Sequence, residues 1–325
     1  MGKRTVGKPR FYADVLQYLK ALGYYNHEST TAPDLLNMNP SQPIKVTGQE
    51  YFYLKNVSEE VYQLLISLNA LSTSGIYIGM LGHSITEGDF VNLNLHDGSE
   101  AVTMHEEIVN FSYFSAGISS VEYKGYSLAN VTDIDNNAYI DKISFNLFSE
   151  ASVGAITYGR WFEPSHAFDL GLKIASDYDG ISLQKTISGY TYSNAAHTGV
   201  PMWGDLPAWT LEKQEGSDYK LGGTDGRRQW DVSLSFLSDD DLFSKATNEN
   251  KFFTYDPDSG GYTFDESIAS FLGLTFNGRI PFIFCPDSSA TDLEFALCMI
   301  DEDSLSFDQV AYQTWNVSMS IVEVW

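Results

Sequence analysis

The sequence is poor in cysteine and in basic side chains. Its 325 residues include two cysteines, Cys285 and Cys298, and 19 lysines and arginines against 43 aspartates and glutamates. Two cysteines cannot form a disulfide framework, so we expect reduced residues of the core. The net charge of −24 repels phosphate backbones, and therefore no direct binding of nucleic acid is expected.

Long apolar runs are also missing. No window approaches the roughly 18 consecutive apolar residues that a spanning helix requires, so no membrane span is expected. The segment Met1–Tyr18 is basic but has no uninterrupted apolar stretch, and it is not expected to be a signal peptide. Hydrophobic residues nevertheless make up 43% of the chain and charged residues only 19%, which predicts a folded protein with a sizeable core.

Motifs for cofactors and metal ions are absent or incomplete. The chain has no GxGxxG motif and no phosphate-binding loop, and Cys285 and Cys298 lack the paired spacing of zinc sites. Asp133, Asp135 and Asn137 offer oxygen atoms at alternate positions, as calcium loops do, but the glycine and the glutamate that such loops need are missing. A polar turn is predicted there, with calcium as the alternative, and no cofactor is predicted.

One segment resembles a catalytic motif. Gly82–Gly88 is similar to the first block of esterases whose nucleophilic serine follows Gly-Asp at the end of a strand, with Ser84 as the serine and His83 in place of the aspartate. Such an enzyme needs a histidine base. None of the six histidines lies in the last 128 residues, where this family has its base. We therefore predict that the chain is not an enzyme, with ester hydrolysis as an alternative.

Basic side chains are concentrated at the N-terminus. Residues 1–10 contain Lys3, Arg4, Lys8 and Arg10 and no acid, which leaves 15 basic against 43 acidic side chains in the rest of the chain. This predicts an N-terminal arm that reaches the acidic surface of a neighbouring subunit. Salt would weaken the attraction, since exposed charges are screened over roughly 8–10 Å. A frayed, solvated terminus is the alternative.

Helical patterns are few. Apolar residues recur at spacings of three and four over Phe11–Leu22, and Gly23 follows, so a helix is predicted there. A second helix is predicted at Val57–Leu71, and Tyr24–Pro43 is predicted to be a loop or extended segment. Ser238–Phe243 begins with serine and three aspartates, which predicts one helical turn.

After about residue 75 the pattern is that of short strands between turns. Strands are predicted at Ile76–Leu81, Phe90–Leu95, Ile108–Phe114, Val121–Tyr123, Ile140–Phe148, Ala155–Phe162, Phe168–Ile174, Ser182–Ile187, Ala208–Leu211, Trp230–Leu237, Ile280–Phe284, Phe295–Ile300 and Trp315–Val324. The prediction is a mainly β fold of antiparallel β-sandwich or barrel domains with one or two short N-terminal helices. After the arm at 1–10, an α+β domain is predicted at 11–130 and all-β structure at 131–325.

A seven-residue pattern occurs twice, at an offset of 85 residues. Trp230–Phe236 and Trp315–Ile321 share four identical residues. In each copy the alternation predicts a strand with one apolar and one polar face. The apolar face of the first copy comprises Trp230, Val232, Leu234 and Phe236. Either a duplicated strand-turn unit or two strands that meet the same packing demand explains the repeat.

Two tryptophans, Trp203 and Trp209, flank a turn-rich segment. Exposed tryptophans stack on sugar rings or anchor a protein partner. The alternative is that they close the end of a β-sandwich, because tryptophan is highly buried on average.

Several segments resemble virion structural proteins of tailed bacteriophages, many of them marine. The segments are Lys8–Tyr12, Phe168–Leu170, Tyr178–Gly180, Ser193-Asn194, Trp203-Gly204, Arg279–Phe284, Phe295–Cys298, Gln309–Ala311 and Ile321–Trp325. The resemblance is strongest in the C-terminal half. It implies a structural component of the virion, in the tail as a tube, baseplate or tube-attached subunit, with the neck or capsid decoration as a lesser alternative.

The resemblance also implies partners. These are copies of the chain, in a ring or stacked rings, and other virion proteins, in a particle assembled in the host cytoplasm. The strand Trp315–Val324 is expected to pair across subunits. The interface candidates are Lys3, Arg4, Lys8, Arg10, Trp203, Trp209 and Trp325. The alternative function is a carbohydrate-binding module that recognises a host glycan.

Overall fold

The computed structural model describes eighteen stretches of the chain. These are residues 7–23, 25–27, 33–36, 38, 42–54, 75–84, 90–96, 108–110, 126–130, 142–169, 173–177, 181–189, 191–195, 227–243, 253–256, 261–264, 267–289 and 295–324. The predicted helix at Val57–Leu71 and the predicted strands at Val121–Tyr123 and Ala208–Leu211 lie outside them. The calcium candidates Asp133 and Asp135 do so too.

The fold is mainly β with antiparallel sheets, as predicted. The strands are β1 Arg10–Asp14, β2 Tyr25–His27, β3 Ile44–Leu54, β4 Ile76–Leu81, β5 Phe90–His96, β6 Ile108–Asn110, β7 Tyr126–Asn130, β8 Lys142–Val153, β9 Ala155–Phe162, β10 Lys173–Asp177, β11 Ile181–Lys185, β12 Thr191–Ala195, β13 Arg227–Ser238, β14 Phe253–Asp256, β15 Gly261–Phe264, β16 Phe282–Cys285, β17 Ala296–Ile300, β18 Ser306–Ala311 and β19 Thr314–Glu323. The helices are α1 Val15–Ala21, α2 Asp239–Leu242, α3 Ile268–Leu274 and a 3₁₀ turn at Pro33–Leu36.

Within the described stretches, the largest sheet has ten strands, and we call it the main sheet. Its order is β10-β13-β19-β17-β16-β1-β9-β4-β7, with β18 paired to β19 beside this path. A second sheet has the order β2-β3-β8-β5-β6, and β11–β12 and β14–β15 form separate pairs. Strands from before residue 130, such as β1 and β4, pair in the main sheet with β9, which comes after it. The domain boundary at residue 130 and the sandwich or barrel architecture stay predictions.

The central strands of the main sheet are buried on both faces. Successive residues of a strand point to opposite faces, so Phe282 and Phe284 of β16 belong to one hydrophobic core and Ile283 and Cys285 to another. The first core also takes in side chains of α1, α2 and α3. Cys298 lies in the first core and Cys285 in the second; both thiols are buried, and neither forms a disulfide.

The predicted helix at Phe11–Leu22 is wrong over its first four residues. Residues Arg10–Asp14 form β1, which pairs with β16 on one side and β9 on the other. The helix α1 begins only at Val15, because Asp14 caps it: Oδ1 of Asp14 accepts hydrogen bonds from the backbone N–H groups of Leu16, at 2.8 Å, and Gln17, at 3.2 Å. Pairing on both sides therefore overrode the helical spacing.

The helical turn predicted at Ser238–Phe243 is present as α2. The hydroxyl of Ser238 accepts from the backbone N–H of Asp241, and the Asp241 carboxylate accepts from the Ser238 N–H. This reciprocal capping box satisfies two donors that the first turn leaves unpaired. Neither α3 nor β18 was predicted: the sequence of β18 lacks a clear apolar period, whereas Ile268, Phe271 and Leu272 of α3 have helical spacing behind the Ser267 cap and were overlooked.

The two copies of the repeated pattern pair with each other. β13 and β19 are antiparallel neighbours, and the fourth residues of the two copies, Ser233 and Ser318, lie opposite one another. Position n of one copy therefore faces position 8 − n of the other over the regular part of the ladder. The two copies are thus related by a local pseudo-two-fold axis over this part of the ladder.

The predicted inward position of Phe236 is wrong. A register shift lies between Leu234 and Leu237, and Phe236 adopts a positive φ of 61°. The extra residue turns the Phe236 side chain outward, where it is 73% exposed, and Leu237 takes the buried place. A β-bulge of this kind reverses the alternation that a regular strand would have.

Asp14 generates a prediction about pH. Burial raises the pKa of this fully buried carboxyl to about 7, against the opposing effect of the N–H and hydroxyl groups that donate to it. The folded state thus disfavours the ionised form. The contribution of Asp14 to the free energy of unfolding should therefore be complete below about pH 4 and decline between about pH 4 and pH 7, by at most about 4 kcal/mol. Asp14→Asn keeps an acceptor for the cap and should flatten this dependence in urea melts between pH 5 and 8. An unchanged slope would contradict it.

Candidate assembly interface

The two interface candidates Lys8 and Arg10 lie against their own subunit. The guanidinium of Arg10 donates from Nη2 to Oε2 of Glu163 at 2.9 Å and lies 3.9 Å from the ring centre of Trp161. The hydroxyl of Ser288 donates to the same carboxylate oxygen at 3.0 Å, and Lys8 Nζ lies 3.9 Å from Oε1. This cluster holds the first described residues of the chain against the main sheet.

The other five interface candidates lie in parts of the chain that the structure does not describe. Lys3, Arg4, Trp203, Trp209 and Trp325 lie outside the described residues. Their assignment to an interface stays a prediction.

The serine of the esterase-like segment makes backbone contacts. Oγ of Ser84 accepts a hydrogen bond from the N–H of Ser152 at 2.9 Å, and the N–H of Ser84 donates to the carbonyl of Ser152 at 2.9 Å. These two bonds join the end of β4 to the end of β8. The hydroxyl thus has a structural contact where the main sheet meets the second sheet.

The described stretches contain neither a cluster of metal-binding side chains nor a helix that could span a membrane. No three histidine, cysteine, aspartate or glutamate side chains there are grouped so as to hold a metal ion. Nor does any helix in those stretches have the length and apolar character needed to span a bilayer.

Arg228 of β13 and Glu323 of β19 form a buried ion pair next to the start of β17, and we call it the clamp. Both side chains are only 4% exposed, and Nε of Arg228 lies 3.1 Å from Oε2 of Glu323. Nη2 of Arg228 also donates to Oε1 of Glu323 and to the carbonyl of Phe295, each at 3.1 Å. Burial raises the pKa of the neighbouring Cys298 thiol, which the Arg228 charge only partly offsets.

The polar face of the paired repeats is satisfied by local partners. Asp169 accepts hydrogen bonds from the hydroxyls of Ser233 and Ser235 at 2.9 and 2.6 Å. Hydrogen bonds from Ser320 and then Lys173 lower the pKa of Asp231. The middle of the β13–β19 pair therefore offers no open polar site.

Beyond this middle part, the sheet extends into a projection that we call the tip, residues 235–243 and 301–316. It contains the end of β13, α2, the start of β19 and all of β18. Every residue of β18 is exposed. Among the described residues, β18 pairs only with β19, so its outer edge presents backbone N–H and C=O groups that no strand receives.

The tip forms because β17 and β18 pair with the same edge of β19, one after the other, with a short turn between them. The turn begins at Asp301, whose N–H donates to the carbonyl of Ser320 at 2.9 Å, and Asp303 has a positive φ of 63°. The Ser304 hydroxyl accepts from the N–H of Ser320 at 3.0 Å, which replaces the missing ladder bond. Pairing resumes at Ser306, opposite Ser318.

Apolar side chains cluster on the tip beyond the edge of the core. Trp315 donates from Nε1 to Oδ1 of Asp239 at 2.6 Å, and Phe243 packs edge-on against its ring at 5.3 Å. The large apolar side chains exposed on the tip are Phe236 at 73%, Phe243 at 46%, Phe307 at 39%, Val310 at 49% and Tyr312 at 86%. Aromatic side chains of this kind are enriched in protein–protein interfaces.

The tip is also uniformly acidic. Its sequence has no lysine, arginine or histidine. Its seven acidic residues are Asp239, Asp240, Asp241, Asp301, Glu302, Asp303 and Asp308. A basic partner would be attracted, and a second copy of the tip would be repelled.

Sequence reasoning missed the tip as a unit. The run Ser306–Ala311 alternates poorly and follows an acidic turn, so it gives no strand signal. The available signal was the second repeat itself, since a strand at Trp315 needs a partner on each side. Only the pairing of β13 and β19 shows that Phe236 and β18 are brought to the same projection.

Comparison with known proteins gives no relative: no family model, no curated protein and no solved structure matches the chain.

The buried clamp generates a prediction. Glu323→Gln leaves the Arg228 guanidinium buried without its counter-charge, which should cost about 3–5 kcal/mol of unfolding free energy. The matched control is Glu150→Gln, since its partner Lys45 is on the surface and the pair is exposed. That control should change stability little. Equal effects of the two substitutions in urea melts would contradict the proposed role of the clamp.

Proposed function

We propose that the chain is a structural subunit of a tailed-phage virion. Its place would be in the tail, as a tube, baseplate or tube-attached component, where it assembles with copies of itself and with other virion proteins. The observation that carries this proposal is the tip, with its exposed strand β18 and the exposed aromatic side chains beside it.

An edge such as β18 is unusual for a protein that acts alone. Edge strands are commonly protected by lysine, proline or a cover, because they otherwise pair with other chains. β18 has neither lysine nor proline, and Asp308 is its only charge. Since Tyr312 and Val310 extend an exposed apolar surface beside this edge, contact with another chain removes both from water.

The segments that resemble virion proteins support the proposal by their location. Lys8–Tyr12 leads into β1, Arg279–Phe284 into β16, Phe295–Cys298 into β17, and Gln309–Ala311 and Ile321–Trp325 fall at the ends of β18 and β19. These strands are neighbours in the main sheet. These five segments therefore lie in one part of the main sheet that includes the tip, whereas Ser193-Asn194 lies in β12 of a separate pair.

Two alternatives remain as outcomes of the tests. A subunit at the neck, or one that decorates the capsid, would use the same kind of contact. Host-glycan binding depends on Trp203 and Trp209, which lie outside the described residues. A glycan array probed with the chain and with both tryptophans changed to alanine would favour that alternative if binding appears and is then lost.

The proposal predicts that the purified chain forms defined oligomers through the tip. Tyr312→Ser removes an exposed aromatic ring and should weaken self-association roughly fivefold or more, measured by light scattering over a concentration series. The control is Ile187→Ser, which removes an exposed apolar side chain from the turn between β11 and β12. It should leave self-association unchanged.

Electron microscopy of the same samples should show rings or short stacks. A chain that stays monomeric at every concentration and salt would overturn the assembly function. So would equal effects of Tyr312→Ser and Ile187→Ser on self-association.

A further inference from the structure

We infer that the free edge of β18 receives the basic N-terminal segment, residues 1–6, of another copy of the chain as an added strand. This inference rests on the proposed function, because it names the contact through which copies would assemble. It joins three observations: the open edge of β18, the acidity of the tip, and the distance between this edge and the N-terminus of the same subunit.

The acceptor is the regular part of β18, Ser306–Gln309, before the register shift that precedes Ala311. An added strand would satisfy the outward N–H and C=O groups of this edge. The charges around it have one sign, because Asp308 lies in the strand and Asp301, Glu302 and Asp303 form the turn just before it. The edge therefore favours a strand that carries positive charge.

The donor segment has the matching composition. Residues 1–6, Met-Gly-Lys-Arg-Thr-Val, include Lys3 and Arg4 and no acid. The segment contains no proline, so each residue after the first can donate and accept a ladder hydrogen bond, and Thr5 and Val6 favour strands. Just after it, Lys8 and Arg10 anchor the chain to Glu163, so the donor leaves the sheet from a fixed point.

The segment of the same subunit cannot reach this edge. The registers of β1, β16, β17, β19 and β18 place Ser306 about eight residues from Arg10 along the strand direction, or ~26 Å at ~3.3 Å per residue. β1 runs toward the tip, so Gly7 lies on the far side of Arg10, about 35 Å from Ser306. Six residues span at most about 22 Å when fully extended. The donor must therefore come from another subunit.

Charge also opposes the symmetric alternative, in which β18 of one copy pairs with β18 of another. That pairing would bring together the two Asp308 side chains and two acidic turns in one interface, and like charges there are costly. A contact between the N-terminus of one copy and the tip of the next is head-to-tail. Repetition of such a contact gives a ring if it closes and a filament if it does not.

Cross-linking tests the contact directly in the full chain. Two variants, Thr5→Cys and Gln309→Cys, are mixed and treated with a short bismaleimide. One of the two variants carries a mass tag, so that the mixed dimer can be distinguished. Cys285 and Cys298 are buried, so they give little background. The expected product is the mixed dimer. The control replaces Gln309→Cys by Ser188→Cys, an exposed position in the turn between β11 and β12, and should give no mixed product above background.

Charge reversal gives the second test. Arg4→Glu should weaken self-association on the order of fivefold at low salt and less at high salt. Lys45→Glu makes the same change in net charge on β3 and should have no such effect. Asp308→Lys combined with Arg4→Glu should restore association, because the pair of charges is exchanged between the two surfaces.

The outcomes separate this inference from the proposed function. If the chain assembles but gives no mixed cross-link, or if Arg4→Glu and Lys45→Glu act alike, the N-terminal contact is wrong and assembly stands. If Gln309→Cys alone yields dimers in preference to the mixed product, the symmetric β18 contact replaces it. If the unmodified chain never associates, both proposals fall.

Discussion

The antiparallel pairing of β13 with β19 is the interaction on which the rest of the structure depends. It places two nearly identical apolar faces side by side in the first core and runs from the Arg228–Glu323 clamp to the tip. The clamp fixes one end because separating its charges inside the protein would leave a buried ion unpaired. At the other end, β18 is the strand that pairs with β19 on the side opposite β13 among the described strands.

This arrangement explains why a surface suited to contact other chains lies where it does. The core ends near Leu237, so side chains beyond it, such as Phe236 and Tyr312, are left exposed by the part of the subunit that the structure describes. The bulge at Phe236 and the excursion at Asp301 are both local departures from a regular ladder, and such departures concentrate at the edges of sheets and at functional surfaces. At the opposite end of the strands, Lys8 and Arg10 hold the start of the chain against Glu163. The acidic tip and the first described residues of the chain thus lie toward opposite ends of these strands.

Much of the fold could be predicted from local patterns, and particular elements show why the rest could not. Ile76–Leu81 and Ala155–Phe162 have the predicted bounds: the first is an almost continuous apolar run, and the second is rich in apolar and aromatic residues and lies between Gly154 and Glu163-Pro164. The start of α1 was predicted four residues too early, since Phe11 and Val15 have helical spacing whether or not β9 and β16 flank them. Of the predicted interface residues, Lys8 and Arg10 are found bound to their own sheet, and Lys3, Arg4, Trp203, Trp209 and Trp325 lie outside the described residues. The tip was missed for the same reason that the start of α1 was misplaced. Both depend on strands that pair with segments distant in the sequence.

The sequence alone determined the mainly β character, the two buried thiols, the capped turn at α2 and the segregation of positive charge at the N-terminus. Each of these depends on composition or on neighbours within a few residues. The tertiary structure decided that the two repeats pair with each other, that Phe236 faces outward, and that β18 presents an open edge beside acidic side chains. Those features depend on which strands meet and in which register, and strand pairing joins residues whose separation in the chain carries no local signal.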